Sequence, residues 1–528
     1  METRIELNKN INLSERKELS FAREIQNDIV LPDYCDDINR IIRVDAKPVI
    51  KNKYANKDAA RVNGIIAVTV VYISDPHKQL RSFSFNNEFE HSLDVPGIMS
   101  NHRLAASMEI GELNCRLLNP RKMTLRVECG ITVKSSEEKI FNGLKDFEAD
   151  FYGLNEPDEH SGIRVEKLKR AFEICDALNG DGELKIEENI EITDGPAANE
   201  IIYADVSNTV EEVKALHGKA VVKFASEIKL LYNSIEDRNQ YVKISKEISS
   251  THVIDIDDLD ERYECAARIA LASLKVDVDI DRHGDNKILN VDFIAQVEVL
   301  AYKNDESEIV VDAYAPKFEN SVQTEIMKIQ RFKGIFKDSQ KIEDSIELED
   351  ALLTMDEVMD VTGIIVINSV TTGESSVSIE SSAELSVMVR GGSDEAQEIQ
   401  EIACSVPLKT EINAGGGITD GAADAFGQII SVEAFIDAGK LTVKAVINHE
   451  CALFENEVCN MAKALIIDTE LPKSGKKDVQ MIIYYPNKTE SLWNVAKRYD
   501  SQVSKIMKYN KLESQNISDR KIIIVPRV

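Results

Sequence analysis

Two acidic stretches of this chain have the flavour of a calcium loop, "DIDDLDERYE" and "DVDIDRHGDNKILN". In the second, Asp279, Asp281 and Gly284 fall where a loop would place two ligands and its turn glycine. Asn290, however, stands where a bidentate glutamate should close the site. A β-hairpin accounts better for the stretch, because the same element recurs around Asn119 and Gly439 without those acids. The run "NAGGGITDGAADAFG" has the glycines of a phosphate cradle, but no lysine–serine/threonine pair follows and Lys440 lies far downstream. It reads as a loop. Cys35 in "LPDYCDDI" could serve as a nucleophile, yet no histidine is near it in sequence, so a small buried hydrophobe is expected. The histidines, His77, His217 and His449 among them, form no His-x-x-x-His pair and have no cysteine at ligand spacing. No catalytic residue, metal ligand or cofactor is expected, and the chain reads as non-enzymatic.

The elements that position these residues must belong to several cores, since 528 residues exceed what one hydrophobic core supports. Hydrophobic residues make up 43% and charged residues 29%, a balance that argues for folded globular units. The net charge of -29 repels nucleic acid and anionic lipid, so neither is an expected partner. The N-terminal "METRIELNKNINLSERKELSF" has no apolar run of a secretory signal, and no stretch is apolar enough to insert in a membrane. Eight scattered cysteines suggest a reducing compartment, so a cytoplasmic location is expected.

Internal repeats are visible. Ile41–Tyr72 lies without gaps over Ile201–Tyr232, pairing Asp45 with Asp205 and Val62 with Val222. A second element occurs three times as an alternating strand, a turn, a lysine and another alternating strand; the lysines are Lys122, Lys287 and Lys440. "SVSIESSAELSVMV" ends where a third copy of the Tyr72 strand would end, with nothing upstream aligning cleanly. Helical periodicity is confined to short pieces such as "VEKLKRAFEICDAL". "LPKSGKKDVQ" reads as an exposed linker.

The last residues differ from all of this. "MIIYY" predicts a strand, and Leu492, Val495, Ala496 and Tyr499 share one helix face. Val503, Ile506 and Met507 make a second helix, and "KIIIVP" a closing strand. Ser491 and Ser501 are placed to cap the two helices. From residue 480 onward nine basic residues face four acidic ones, a net +5 that leaves -34 on the rest. Trp493, the sole tryptophan, is expected to pack between the helices and the sheet.

"LWNVAKRYDSQVSKIMKYNKL" with the closing "KIIIVP" resembles a LysM domain. Such domains bind N-acetylglucosamine glycans between the loop before the first helix and the loop before the last strand. That resemblance marks Thr489, Glu490, Ser491, Leu492, Trp493, Asn516, Ile517 and Ser518 as the partner- or glycan-binding residues. Here Thr489, Glu490 and Ser491 replace the usual glycine–aspartate–threonine, and Ser518, Asp519 and Arg520 the usual proline–glycine–glutamine. Without glycines, backbone approaches a sugar less closely, which moves the expectation toward a protein partner. Upstream, Leu31, Pro32, Asp33, Cys35, Asp37 and Ile38, then Gly64 and Tyr72, then Asn119, Arg121 and Lys122 resemble the SPOCS domain of endospore-coat proteins.

The expected fold is mainly β: tandem sandwich-like SPOCS-type repeats over 1–155, 160–330 and a divergent 335–470, a linker over 471–479, and a small βααβ LysM domain over 480–528. The resemblance implies a scaffold or adaptor in spore coat assembly. Its LysM domain would dock on a coat morphogenetic protein, a SpoIVA-like ATPase scaffold, at the forespore surface in the mother cell. The alternative is a peptidoglycan-binding protein of the cell wall or spore cortex.

Overall fold

The computed structural model describes residues 2–5, 8–100, 103–144, 150–151, 163–349, 352, 354–393, 396–473, 480–487, 489–518 and 520–527. In chain order the strands are β1 (Glu2–Ile5), β2 (Asn8–Val30), β3 (Asp37–Asn56), β4 (Ala59–Asp75), β5 (Leu80–Asp94), β6 (Arg103–Asn119) and β7 (Lys122–Leu144). The short β8 (Asp150–Phe151) and β9 (Ile163–Arg164) follow. Next come β10 (Glu166–Glu191), β11 (Ala198–Leu216), β12 (Lys219–Ser234), β13 (Tyr241–Asp255), β14 (Glu264–Asp279) and β15 (Ile288–Tyr314). The last large group is β16 (Phe318–Glu347), β17 (Met355–Thr372), β18 (Ser376–Ser393), β19 (Ala396–Asn413), β20 (Gly421–Asp437) and β21 (Lys440–Pro472).

Each six-strand group makes two antiparallel three-stranded sheets with one topology. The meanders are β3-β4-β5, β11-β12-β13 and β17-β18-β19; the facing sheets are β2-β7-β6, β10-β15-β14 and β16-β21-β20. Alternation along the strands puts aliphatic residues on the inner faces, and the paired sheets close over them. In the first sandwich Val62, Ile66, Val68 and Val70 share a core with Leu125, Val127, Ile131 and Val133. Val222, Phe224, Ile228 and Leu230 meet Val291, Phe293, Val297 and Val299 in the second, and Leu385 and Val387 meet Leu441, Val443 and Ile447 in the third.

The repeat holds down to its irregularities. Register shifts fall between Ile38/Arg40, Ile41/Arg43 and Ile50/Asn52 in the first meander. The second has them between Ala198/Glu200, Ile201/Tyr203 and Val210/Glu212, the third between Met355/Glu357, Val358/Asp360 and Ile367/Ser369. The third copy therefore does extend upstream, through Met355–Thr372, and Val389 pairs with Val358 as Tyr72 pairs with Ile41. A bulge is a backbone feature, so it persists after side-chain identity is lost. Tyr72 and Tyr232 are buried, and their hydroxyls donate to the Asp36 and Pro196 carbonyls at 3.2 and 3.1 Å. All three lysine-marked hairpins form, with Asn119 opposite Lys122, Asp279 opposite Ile288 and Asp437 opposite Lys440.

Two expectations need correction. "VEKLKRAFEICDAL" is not helical; it lies in β10, which pairs with β15 along its whole length and buries Phe172, Ile174, Cys175 and Leu178. Its helix-favouring lysines, glutamates and alanines are overridden by that partner strand. β16 runs unbroken through 330–335, where the sequence suggested a boundary; Gly334 marks a bulge there, and the chain crosses from second to third sandwich at 315–317. Leu471 and Pro472 end β21, and 474–479 of the expected linker lie outside the described residues.

Gly64 shows how tightly a bulge brings two strands together. A Cβ there would sit 2.0 Å from the Val49 carbonyl oxygen and 3.0 Å from the Ile50 Cα. Gly64→Ala is expected to cost at least about 2 kcal/mol, because backbone rather than a rotatable side chain must move. A lower urea midpoint would register it.

Burial works to raise the pKa of Asp424, but Arg268 and Lys134 outweigh it and hold the carboxyl below its ordinary 3.8. At Asp205, burial is likewise overcome, chiefly by Lys47. These ion pairs join different sandwiches. A depressed folded pKa contributes stability above the unfolded pKa that is lost as pH falls through the folded one. The junctions should thus weaken below about pH 4. Thermal midpoints measured downward from pH 6 should drop there, with a shallower slope in Asp424→Asn.

Candidate functional site

The C-terminal module consists of β22 (Met481–Tyr484), α1 (Leu492–Arg498), α2 (Val503–Asn510) and β23 (Ile523–Pro526). The strands pair antiparallel, Ile482 opposite Val525 and Tyr484 opposite Ile523. Leu492, Val495, Ala496, Ile506, Ile517, Ile523 and Val525 are the buried centre. Ser491 caps α1, its hydroxyl accepting from the Asn494 N–H at 3.2 Å. Ser501 does not cap α2: it is buried and donates to the Pro526 carbonyl, leaving Gln502 at the cap position without a side-chain bond.

The loop before α1 is tied by its own charges. Tyr484 donates to Glu490 at 2.5 Å, and Arg498 reaches the other Glu490 oxygen at 2.9 Å. The hydrogen bond to Glu490 pushes the Tyr484 pKa up, while the Glu490 charge does the same for Arg498. Thr489, Ser491 and Asn516 are exposed; Glu490 and Ser518 are half-buried. Leu492, Trp493 and Ile517 share the module's apolar cluster. Asn516 accepts from the Ser518 N–H at 3.0 Å, closing the second loop on itself.

Trp493 packs against another part of the chain. Its ring meets Tyr314 of β15 edge to face at 5.0 Å, and its Nε1 donates to Asp312 at 2.8 Å. Lys497 adds contacts of 2.7 and 2.8 Å to both oxygens of the same carboxylate. Tyr314, kept protonated because burial raises its pKa, donates to the Ser501 carbonyl at 2.8 Å. Lys473 pairs with Asp500 at 2.5 Å. Asp312 and Tyr314 were not anticipated as partners of the module. The only signal was global, a basic module on an acidic chain.

The module's outer sheet face has the opposite character. Met481, Ile483, Tyr485, Ile522 and Ile524 are exposed, Ile483 at 66%, beside the exposed Arg520 and Lys521.

The groups singled out for reactivity lie within the sandwiches and their loops. Burial pushes Cys451 up to about 12 and Cys115 and Cys265 to about 11, and it raises Cys35. His449 sits between Ser381 and Thr410 at 3.0 and 3.1 Å, and burial lowers its pKa. Asp281 accepts the His283 and Asp285 N–H groups at 2.8 and 3.0 Å, so it builds the turn. Gly415, Gly416 and Gly417 all have positive φ in the β19–β20 loop. Among the described residues no group of three or more His, Cys, Asp or Glu could hold a metal ion. A cavity of about 580 Å³ where the three sandwiches meet is lined by Arg268, Asp424, Lys53 and Glu298, which form ion pairs there.

Of the residues that resemble SPOCS, those at the β2–β3 corner and the β6–β7 hairpin come together around one guanidinium. Arg121 donates to the Pro32 and Cys35 carbonyls at 3.0 and 3.2 Å and to Asp37 at 2.8 Å. Ile38 N–H donates to the Pro120 carbonyl at 2.8 Å, and Lys122 pairs with Asp28 at 2.7 Å. This constellation fastens the β2–β3 corner to the β6–β7 hairpin.

Fold and site together define a chain of β-sandwich units ending in a small βααβ binding module. Residues 37–118 match the SipL, SPOCS domain family, and residues 487–526 match the LysM domain family. No curated protein and no solved structure matches the chain. The chain thus combines a SPOCS domain with a C-terminal LysM domain, both of them binding modules, and the SPOCS match ties it to sporulation. No helix among the described residues is long and apolar enough to cross a membrane.

Proposed function

We propose that the chain is a non-enzymatic adaptor of endospore coat assembly, whose LysM domain docks on a coat scaffold protein of the SpoIVA-like ATPase kind. It would act on the mother-cell side, at the forespore surface. The observation that carries this reading is the exposed apolar sheet face of Met481, Ile483, Tyr485, Ile522 and Ile524. Contiguous apolar surface of this kind is suited to a protein partner. The glycine-free loops, one closed by Glu490, Tyr484 and Arg498, add to the case against a sugar groove.

The test sets the full chain against two baits, purified scaffold protein and peptidoglycan, with a glycine-bearing LysM as the glycan control. Capture by the scaffold is expected, with at least about a tenfold loss in Ile483→Asp, since a charge at a desolvated anchor costs more than about 1.4 kcal/mol. Retention on peptidoglycan equal to the control, without scaffold binding, would replace this reading with a wall- or cortex-binding protein.

A further inference from the structure

The three sandwiches meet head to tail around a closed ring. β5 of the first packs on β11 of the second, β13 of the second on β17 of the third, and β19 of the third on β3 of the first. In every case the last strand of one meander meets the first strand of the next. Equivalent side chains converge at the centre: Ile42, Ile202 and Met359 share one apolar cluster with Val71, Leu231 and Met388. The next residues along the repeat are Arg43, Tyr203 and Asp360, each just past the same bulge. They differ, and they satisfy one another. Arg43 donates to Asp360 at 2.7 Å, and its guanidinium lies over the Tyr203 ring at 5.3 Å.

Two junctions join consecutive parts of the chain. The third joins its first sandwich to its last, and it is polarised. Arg40, Arg43 and Lys134 of the first sandwich meet Glu398, Asp360, Glu401 and Asp424 of the third, at 3.7, 2.7, 3.0 and 2.5 Å. Arg40 also donates to the Ile399 carbonyl at 2.8 Å. β1 pairs with Leu465–Asp468 near the end of β21, a separate link between the start of the chain and its third group of strands. Pairing first sandwich with first, or third with third, would set like charges face to face, so only the heterologous match is favoured.

We propose that this closing seam is exchangeable: the cationic face of the first sandwich takes the anionic face of the third sandwich of a second copy, joining copies head to tail. A first sandwich that changes copies meets the second and third sandwiches of its new copy as it met its own, Tyr203 and Lys243 included, so the exchanged seam keeps the contacts of the closed one and only concentration separates the two states. The intramolecular seam works at an effective concentration on the order of millimolar, so dilute chains are closed monomers and crowded chains exchange. This inference does not depend on what the LysM domain binds.

The test uses two full-length variants, Arg43→Asp and Asp360→Arg. Each places like charges in its own seam, so each alone is expected at single-chain mass with an enlarged hydrodynamic radius. Mixed one to one, they restore one native seam and one reversed seam, and light scattering should show twice the single-chain mass. A mixture that stays at single-chain mass overturns the proposal. Arg40→Cys and Glu398→Cys chains, mixed and oxidised, give a second readout that leaves Arg43 intact. Interchain disulfide that rises with protein concentration supports exchange; none at any concentration rejects it.

Discussion

Replacing Asp360 with alanine is expected to lower the stability of the chain by about 3–5 kcal/mol, the range for removing one partner of a buried pair. Asp360 and Arg43 have side-chain exposures of 3% and 2%, so neither can recover its lost interaction from water. In Asp360→Ala the Arg43 guanidinium keeps Glu401 at 3.0 Å, the Ser386 carbonyl at 3.2 Å and the face of the Tyr203 ring, and Lys243 loses its 3.3 Å contact to Asp360. The cost arises because a buried guanidinium is left with one carboxylate in place of two, more than from the missing bond alone. A double replacement, Arg43→Met with Asp360→Leu, should therefore restore stability to within about 1 kcal/mol of the parent, since it removes both buried charges and leaves Glu401 and Lys243, which reach solvent, to be hydrated. Urea unfolding of the three proteins decides the matter. If Asp360→Ala costs less than about 1 kcal/mol, the pair is solvated and the ring is not locked at its centre.

Trp493→Ala is the second large effect, about 3–5 kcal/mol within the C-terminal module, as for other buried aromatics cut to a methyl. The indole is 5% exposed and belongs to the cluster that also holds Leu492, Val495 and Ile506. Its removal also strips the module's edge-to-face contact with Tyr314 and the bond to Asp312. Two milder variants separate packing from docking. Trp493→Phe keeps an aromatic ring in place but cannot donate to Asp312. Asp312→Ala leaves the module core untouched while releasing Trp493 and Lys497 together. Because Trp493 is the only tryptophan, its emission reports the dock directly. Asp312→Ala should shift that emission to the red with the circular dichroism of the sandwiches unchanged. An unshifted spectrum would mean that Tyr314 of β15 and Lys473, just past β21, hold the module in place without Asp312.

The hairpins around Lys122, Lys287 and Lys440 were legible because strand alternation and turn residues are local signals, and the ungapped match of Ile41–Tyr72 with Ile201–Tyr232 exposed the repeat. The upstream part of the third copy was hidden, since Met355–Thr372 keeps the bulges of its relatives and not their side chains. β10 was read as partly helical because its composition is, and nothing nearby in sequence announces β15 as its partner. In the last module both strands, both helices and the Ser491 cap followed from pattern alone; the fate of Ser501 did not, because its acceptor is the carbonyl of Pro526.

By itself, then, the sequence determined the elements: β-rich repeats, three marked hairpins, a βααβ terminus and an acidic body with a basic end. Periodicity says which face of an element is apolar, and charge says what it repels. Neither says which distant surface covers that face. Only the tertiary structure decided that Arg43, Tyr203 and Asp360 would meet at one centre, and that Trp493 would turn toward Asp312 and Tyr314. The reason is physical: such contacts join residues from 160 to 317 positions apart, and their energy exists only once the strands between them have folded.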